Sequence, residues 1–249
     1  MGGFEHSIRV VCHLFLILLL TCFGCRENHA QNMSTPEPTL GPTVDPKSRV
    51  RSPIRSAKEI EESLRHYSLL PDVISYAPKQ MLWMEFIDDF IADIGNDVSG
   101  LDVLYPPWLI KWPCKNNSYY AILGTGPDTL VNGLPIEKEF MHWLVVNIPG
   151  KHVADGRAIL HGKRLADYIG PAPPKGKGYH RYAFFVYEQT MGKTKYNIPK
   201  LNATETDPLR QFNSEEFAEK MYFGKAIATN FFCVEWRVNS LRPFYNYCS

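Results

Sequence analysis

The chain has 249 residues, a net charge of +1, 45% hydrophobic residues and 13% aromatic residues. That composition suits one domain with a sizeable core. The basic residues are scattered, and the densest spots, Lys163-Arg164 and Lys175 with Lys177, are too small for a phosphate-backbone footprint, which excludes nucleic acid as a partner.

In chain order, Arg9 is followed by an apolar run from Val10 to Gly24. It is shorter than the roughly 20 residues of a spanning helix and has the length of a signal-peptide core. The expectation is a secreted, extracellular protein with a signal peptide over residues 1–24, or up to 30 if cleavage follows Ala30 rather than Gly24. No transmembrane segment is expected after cleavage. Residues 31–55 are polar and proline-containing, without periodicity, and read as a flexible linker. A single domain is expected over 56–249.

The six cysteines are Cys12, Cys22, Cys25, Cys114, Cys233 and Cys248. In an oxidising compartment at least one disulfide is expected among Cys114, Cys233 and Cys248, with the pairing open. No CxxC spacing occurs among the cysteines left after the signal, so no metal site is expected. Asn32, Asn116 and Asn202 each begin an Asn-x-Ser/Thr triplet and are glycosylation candidates in a secreted chain.

Ser56-Ala-Lys-Glu59 is a capping box. Ile60, Leu64 and Tyr67 follow on one helical face, and the helix is expected to end before Pro71. Gln80–Phe86, Trp108–Trp112 and Tyr119–Leu123 read as strands, and Gly124–Lys138 as a loop. Met141–Ile148 is apolar on both faces, which marks a central strand. Leu165–Ile169 reads as a helical turn or short strand within a long connection, and Arg181–Glu188 as a second central strand. Asn213 or Ser214 caps a helix over about 215–223, and Thr229–Trp236 closes the core as a strand. Strands dominate, so the fold class is mainly β.

Strand parity places His180, Tyr182, Phe184 and Val186 on one face, and His142, Leu144 and Val146 on one face of their own strand. Both histidines stand at strand starts, where loops meet the sheet. Imidazole and phenol groups over an apolar wall suit a phosphate or carboxylate guest. Catalysis is not expected: no nucleophile elbow and no HExxH pattern is present. No cofactor is expected.

The chain resembles the phosphatidylethanolamine-binding proteins. The resemblance is carried by Leu70–Pro78, Gly126-Pro-Asp128, Met141–Gly150, Asp167–Gly170, Pro173–Gly176, Tyr179–Tyr182, Phe185–Gln189 and Asn230–Trp236. It implies a large central antiparallel sheet, a smaller second sheet and short peripheral helices. It also implies a ligand-binding pocket for a small anion or phospholipid head group at Asp128, His142, Ala172, Pro173, His180 and Tyr182. Three positions depart from the family pattern. Gly126 stands where the family has an aspartate, Ala172 where it has a glycine, and Met141 where it has a histidine. The resemblance thus implies a non-enzymatic lipid-binding or anion-binding protein, and the Asn-x-Ser/Thr triplets make it an expected glycoprotein. The alternative it implies is an extracellular protein-interaction module, such as a serine-protease inhibitor, with a degenerate pocket.

Overall fold

The computed structural model describes residues 54–131, 133–203 and 208–237. The signal segment, most of the linker, Asn32, Cys248 and the C-terminal tail lie outside the described residues.

The first helix, α1 (Ala57–His66), starts at the capping box: the Ser56 side chain accepts from the Glu59 N–H, and Glu59 reaches back to the Ser56 N–H. Its buried face carries Ile60 and Leu64. Arg55, one residue ahead of the cap, forks onto Asp93 at 2.9 and 2.6 Å.

The expected strand at Gln80–Phe86 is two strands. β1 (Gln80–Met81) joins the large sheet, and β2 (Trp83–Glu85) leaves it to pair antiparallel with β4 (Leu109–Lys111). The large sheet also contains β3 (Asn96–Val98), β5 (Tyr119–Gly126), β8 (Glu139–Pro149), β9 (Lys163–Ala166), β10 (Tyr179–Gln189), β11 (Gln211–Phe212) and β12 (Phe223–Glu235). Its main order is β1-β12-β10-β5-β8-β11, with β3 on β12 and β9 on β8. The centre is antiparallel as expected, but β1 and β3 both run parallel to β12, so the sheet is mixed. A hairpin of β6 (Leu130–Val131) and β7 (Leu134–Pro135) stands in the expected loop after β5. Beyond a short helical turn at Leu69–Asp72, a later helix, α2 (Ser214–Lys220), is capped by the Asn213 side chain. It ends earlier than expected, because Tyr222 turns the chain in a left-handed conformation (φ 54°) and β12 begins at once.

The central strands are covered on both faces. One core holds Leu123, Val146, Phe185 and Phe231 beneath α1 and α2. The other holds Ile122, Trp143, Phe184 and Phe232 beneath β2 and β4. Each such side chain contributes roughly 1.5–3 kcal/mol on burial, so residues with no apolar partner stand out against this background. Among the described residues no helix is long and apolar enough to cross a membrane.

Candidate functional site

β5 is antiparallel to both β8 and β10. The end of β5 therefore meets the starts of β8 and β10 at one edge of the sheet. His142 lies near one start and His180 near the other, with the 127–138 and 167–178 connections above them.

Strict alternation would put His142 on the face of Leu144 and Val146. The structure differs. Gly124 pairs with Trp143, yet Thr125 pairs with Met141, so His142 is the extra residue of a β-bulge. The bulge swings His142 onto the face of Tyr182, with ring centroids 5.0 Å apart in an edge-on contact. Phe140 also meets the imidazole edge-on, with ring centroids 5.1 Å apart.

These residues wall a cavity of about 40 Å³, room for roughly three waters or one small oxyanion. His142, Ala172, His180 and Tyr182 line it, together with Thr129, Phe140, Ile169 and Pro174. Asp128 and Pro173 are not among its described lining residues. Pro174 takes the wall position expected of Pro173. Asp128 faces the other side of β10, where it accepts from Arg181 Nε at 2.8 Å, Nη2 at 2.7 Å and the Arg181 backbone N–H at 2.8 Å. Burial alone would raise its pKa, but the Arg181 hydrogen bonds and charge more than offset that and hold it below the ordinary aspartate value. Arg181 also donates to the Tyr67 carbonyl, so this clasp ties the turn after β5 to the end of α1.

The two histidines differ in kind. His142 is 4% exposed. Its Nδ1 lies 2.8 Å from the Ile169 carbonyl, which can only accept, so Nδ1 carries the proton. Its Nε2 lies 3.0 Å from Thr129 Oγ1, which must then be the donor. Burial pushes the His142 pKa down to about 4, with the charge of Arg210 adding to the fall and the Ile169 bond opposing it. His180 is 5% exposed, and among the described residues its ring makes no hydrogen bond. Burial lowers its pKa, against the pull of Asp128. It is the wall's available imidazole.

The sequence points to His142, His180 and Tyr182 but not to Thr129. A signal was present: Gly126 carries no side chain, three residues before a hydroxyl. A Cβ at Gly126 would meet Thr129 Oγ1 at 2.5 Å and His142 Nε2 at 2.8 Å.

The thiols of Cys114 and Cys233 are both free. They do not pair with each other, for Cys114 packs on the core beneath β2 and β4, while Cys233 alternates with Phe232 on the opposite face. Asn116 and Asn202 are both exposed. Among the described residues no group of three metal-ligating side chains occurs.

Comparison with known proteins gives a consistent pattern. The profile of the Phosphatidylethanolamine-binding protein family matches residues 78–232, more than half of the chain. A Drosophila melanogaster protein that carries the name odorant-binding protein A5 is 26% identical over 179 residues, 72% of this chain and 81% of that one. The fold matches a carboxypeptidase Y inhibitor, solved with its cognate proteinase, at a TM-score of 0.59 and 21% identity, over 73% of this chain and 97% of that one. It also matches a phosphatidylethanolamine-binding protein from Plasmodium vivax at a TM-score of 0.53 and 17% identity, over 74% and 99%.

Proposed function

The chain belongs to the phosphatidylethanolamine-binding protein family, and on that footing we propose that it is a secreted, non-enzymatic binding protein whose cavity receives a small oxyanion. A phospholipid head group is one source of such a ligand. The observation that carries this reading is His180: a buried imidazole on a cavity wall, with no hydrogen bond from its ring to the described protein. Its ring nitrogens are not among the fully enclosed polar atoms that lack a partner, so they open onto the cavity, where a ligand oxygen can reach them. Tyr182 stands beside it on the same wall. The leader at Val10–Gly24 and the exposed Asn116 and Asn202 support an extracellular setting.

Titration with glycerophosphoethanolamine, followed by NMR of the histidine rings, tests the reading. The His180 ring signals should move with saturable dependence, and His180→Ala should abolish the response of its neighbours. If His180 does not respond at millimolar ligand, the cavity is not a binding site for this class. A protein captured from extracellular fluid with equal strength by wild type and His180→Ala would favour the alternative, a protein-interaction module such as a serine-protease inhibitor.

A further inference from the structure

We infer that the protein carries a second binding surface, a basic face along the β9 edge of the large sheet, whose partner is a sulfated glycan of the extracellular space. This face is separate from the cavity. Only the choice of a glycan among polyanions rests on the secreted reading above.

The chain disperses these charges and the fold collects them. Residues 150–167 and 190–203 hold seven Lys and Arg against two Asp, a net of +5 in a chain whose total is +1, so the remainder carries −4. Six of the seven are exposed around β9: Lys151, Lys163, Arg164, Lys193, Lys195 and Lys200. Lys163 and Arg164 stand on β9 itself, paired with Val146 and Val145 of β8. The next residue of β8, Asn147, clasps the Thr194 backbone. It accepts from the Thr194 N–H at 2.9 Å and donates to the Thr194 carbonyl at 2.8 Å, which sets Lys193 and Lys195 beside the start of β9. Further along β9, the Leu201 N–H donates to the Leu165 carbonyl at 2.8 Å and brings up Lys200. The His152 and His161 rings stack with centroids 3.8 Å apart, which holds the Lys151 turn against the chain entering β9.

Opposing charge within these segments is slight. Asp167 is spanned by Arg164 and Lys200, each at 3.2 Å. Asp155 accepts from the Arg157 N–H in its own turn. Like cations held on adjacent strands and turns repel one another, and a polyanion relieves that repulsion while releasing its own counterions. The exposed apolar side chains nearby, Leu160 and Met191, stand on separate turns and do not form the apolar band of a membrane-inserting helix. The face therefore suits a hydrophilic polyanion better than a lipid surface. The two exposed glycosylation candidates border it. Ser118 of the Asn116 triplet accepts from the Gly150 N–H, beside Lys151, and Asn202 lies two residues past Lys200. Glycans there would frame the face rather than cover β9.

The test is retention on immobilised heparin and titration with a heparin hexasaccharide at about 0.15 M salt. Wild type should be retained and should elute as salt is raised, because added salt opposes counterion release. Amide signals of Lys163, Arg164 and Lys195 should shift, while the His180 ring signals stay in place. Lys163→Glu combined with Lys195→Glu should weaken binding at least about tenfold, since two attractive charges become repulsive. Lys175→Glu combined with Lys177→Glu makes the same change in net charge across the sheet, where Lys175 lies over Trp236. It should bind within about twofold of wild type, because charges beyond a screening length count little. Backbone amide spectra establish that each variant is folded. If the reversal at Lys163 and Lys195 is not, Lys163→Gln with Lys195→Gln replaces it and should still bind more weakly than the control. Equal losses in the two pairs overturn the inference, because net charge alone would account for them. Failure of wild type to be retained overturns it too, as does a hexasaccharide that moves His180, or a DNA duplex or phosphatidylserine vesicles bound in preference to the hexasaccharide. None of these outcomes touches the cavity reading, which stands or falls on glycerophosphoethanolamine.

Discussion

Acid should destabilise this protein through His142, and the size of the effect can be worked from its surroundings. The folded ring titrates at about 4, whereas an unfolded histidine titrates near 6.5. The unfolded chain therefore binds a proton first as pH falls. Stability from this group is complete above about 6.5, declines on acidification toward the folded value, and levels off below it. The full loss is about 3 kcal/mol, of which about 2 kcal/mol is expressed at pH 5. Other groups titrate too. His180 is depressed in the same sense, Glu139 is raised by burial and acts in the opposite sense, and Asp128 acts only below the ordinary aspartate range. A difference isolates His142: urea unfolding of wild type and His142→Gln at about pH 7.5 and about pH 5, with the pH penalty of the variant subtracted from that of wild type. Gln offers an N–H toward Ile169 and does not titrate. Wild type should lose about 2 kcal/mol more than the variant over this interval. Equal losses would mean that His142 charges as readily when folded as when unfolded, and the assignment of its two hydrogen bonds would be wrong.

Three further outcomes are expected. Asp128→Asn should cost about 2 kcal/mol in urea unfolding, since it breaks a forked ion pair at 2.7 and 2.8 Å and leaves Arg181 only the longer contact to Asp72 at 3.6 Å. Gly126→Ala should cost about 1–3 kcal/mol by overpacking, and NMR should show the Thr129 bond to His142 broken, because the new Cβ would stand 2.8 Å from Nε2. Glu139→Gln should cost about 1–3 kcal/mol by thermal or urea unfolding; the buried carboxylate accepts from Thr125 Oγ1, the Ser214 N–H and Ser214 Oγ, and an amide has only one oxygen for three donors.

The long strands were legible in the sequence because strands buried on both faces read as mostly apolar runs. Tyr119–Leu123, Met141–Ile148 and Arg181–Glu188 fall within β5, β8 and β10. The capping box at Ser56 was equally legible, being a local pattern with a local cause. What escaped was short or depended on distant partners. β3 and β9 have three and four residues, too few to show alternation, and exist by pairing with β12 and β8. The change of sheet at Leu82 has no signal, because Met81 to Trp83 are apolar without a break. At the site, the histidines and Tyr182 showed as polar groups in apolar strands. Asp128 was expected at the pocket because the resemblance carries it there; the sequence held no sign that its carboxylate pairs with Arg181, whose side chain points away from Tyr182 along β10.

The bulge at His142 explains why two similar histidines have different work. Without it, His142 would lie under α1 and α2 beside Leu144 and Val146, and the cavity would lose a wall. With it, the ring is forced into a site enclosed by Phe140 and Tyr182. A ring so enclosed must have both nitrogens answered from within the protein, since an unanswered buried polar atom is costly. The Ile169 carbonyl and the Thr129 hydroxyl provide those answers. His180 sits on a regular stretch of β10, opposite Val234, and keeps its face to the cavity. One histidine is consequently part of the wall and the other is available to a guest. Substitution at His142 should therefore disturb the wall itself, while substitution at His180 should remove binding and leave the wall standing.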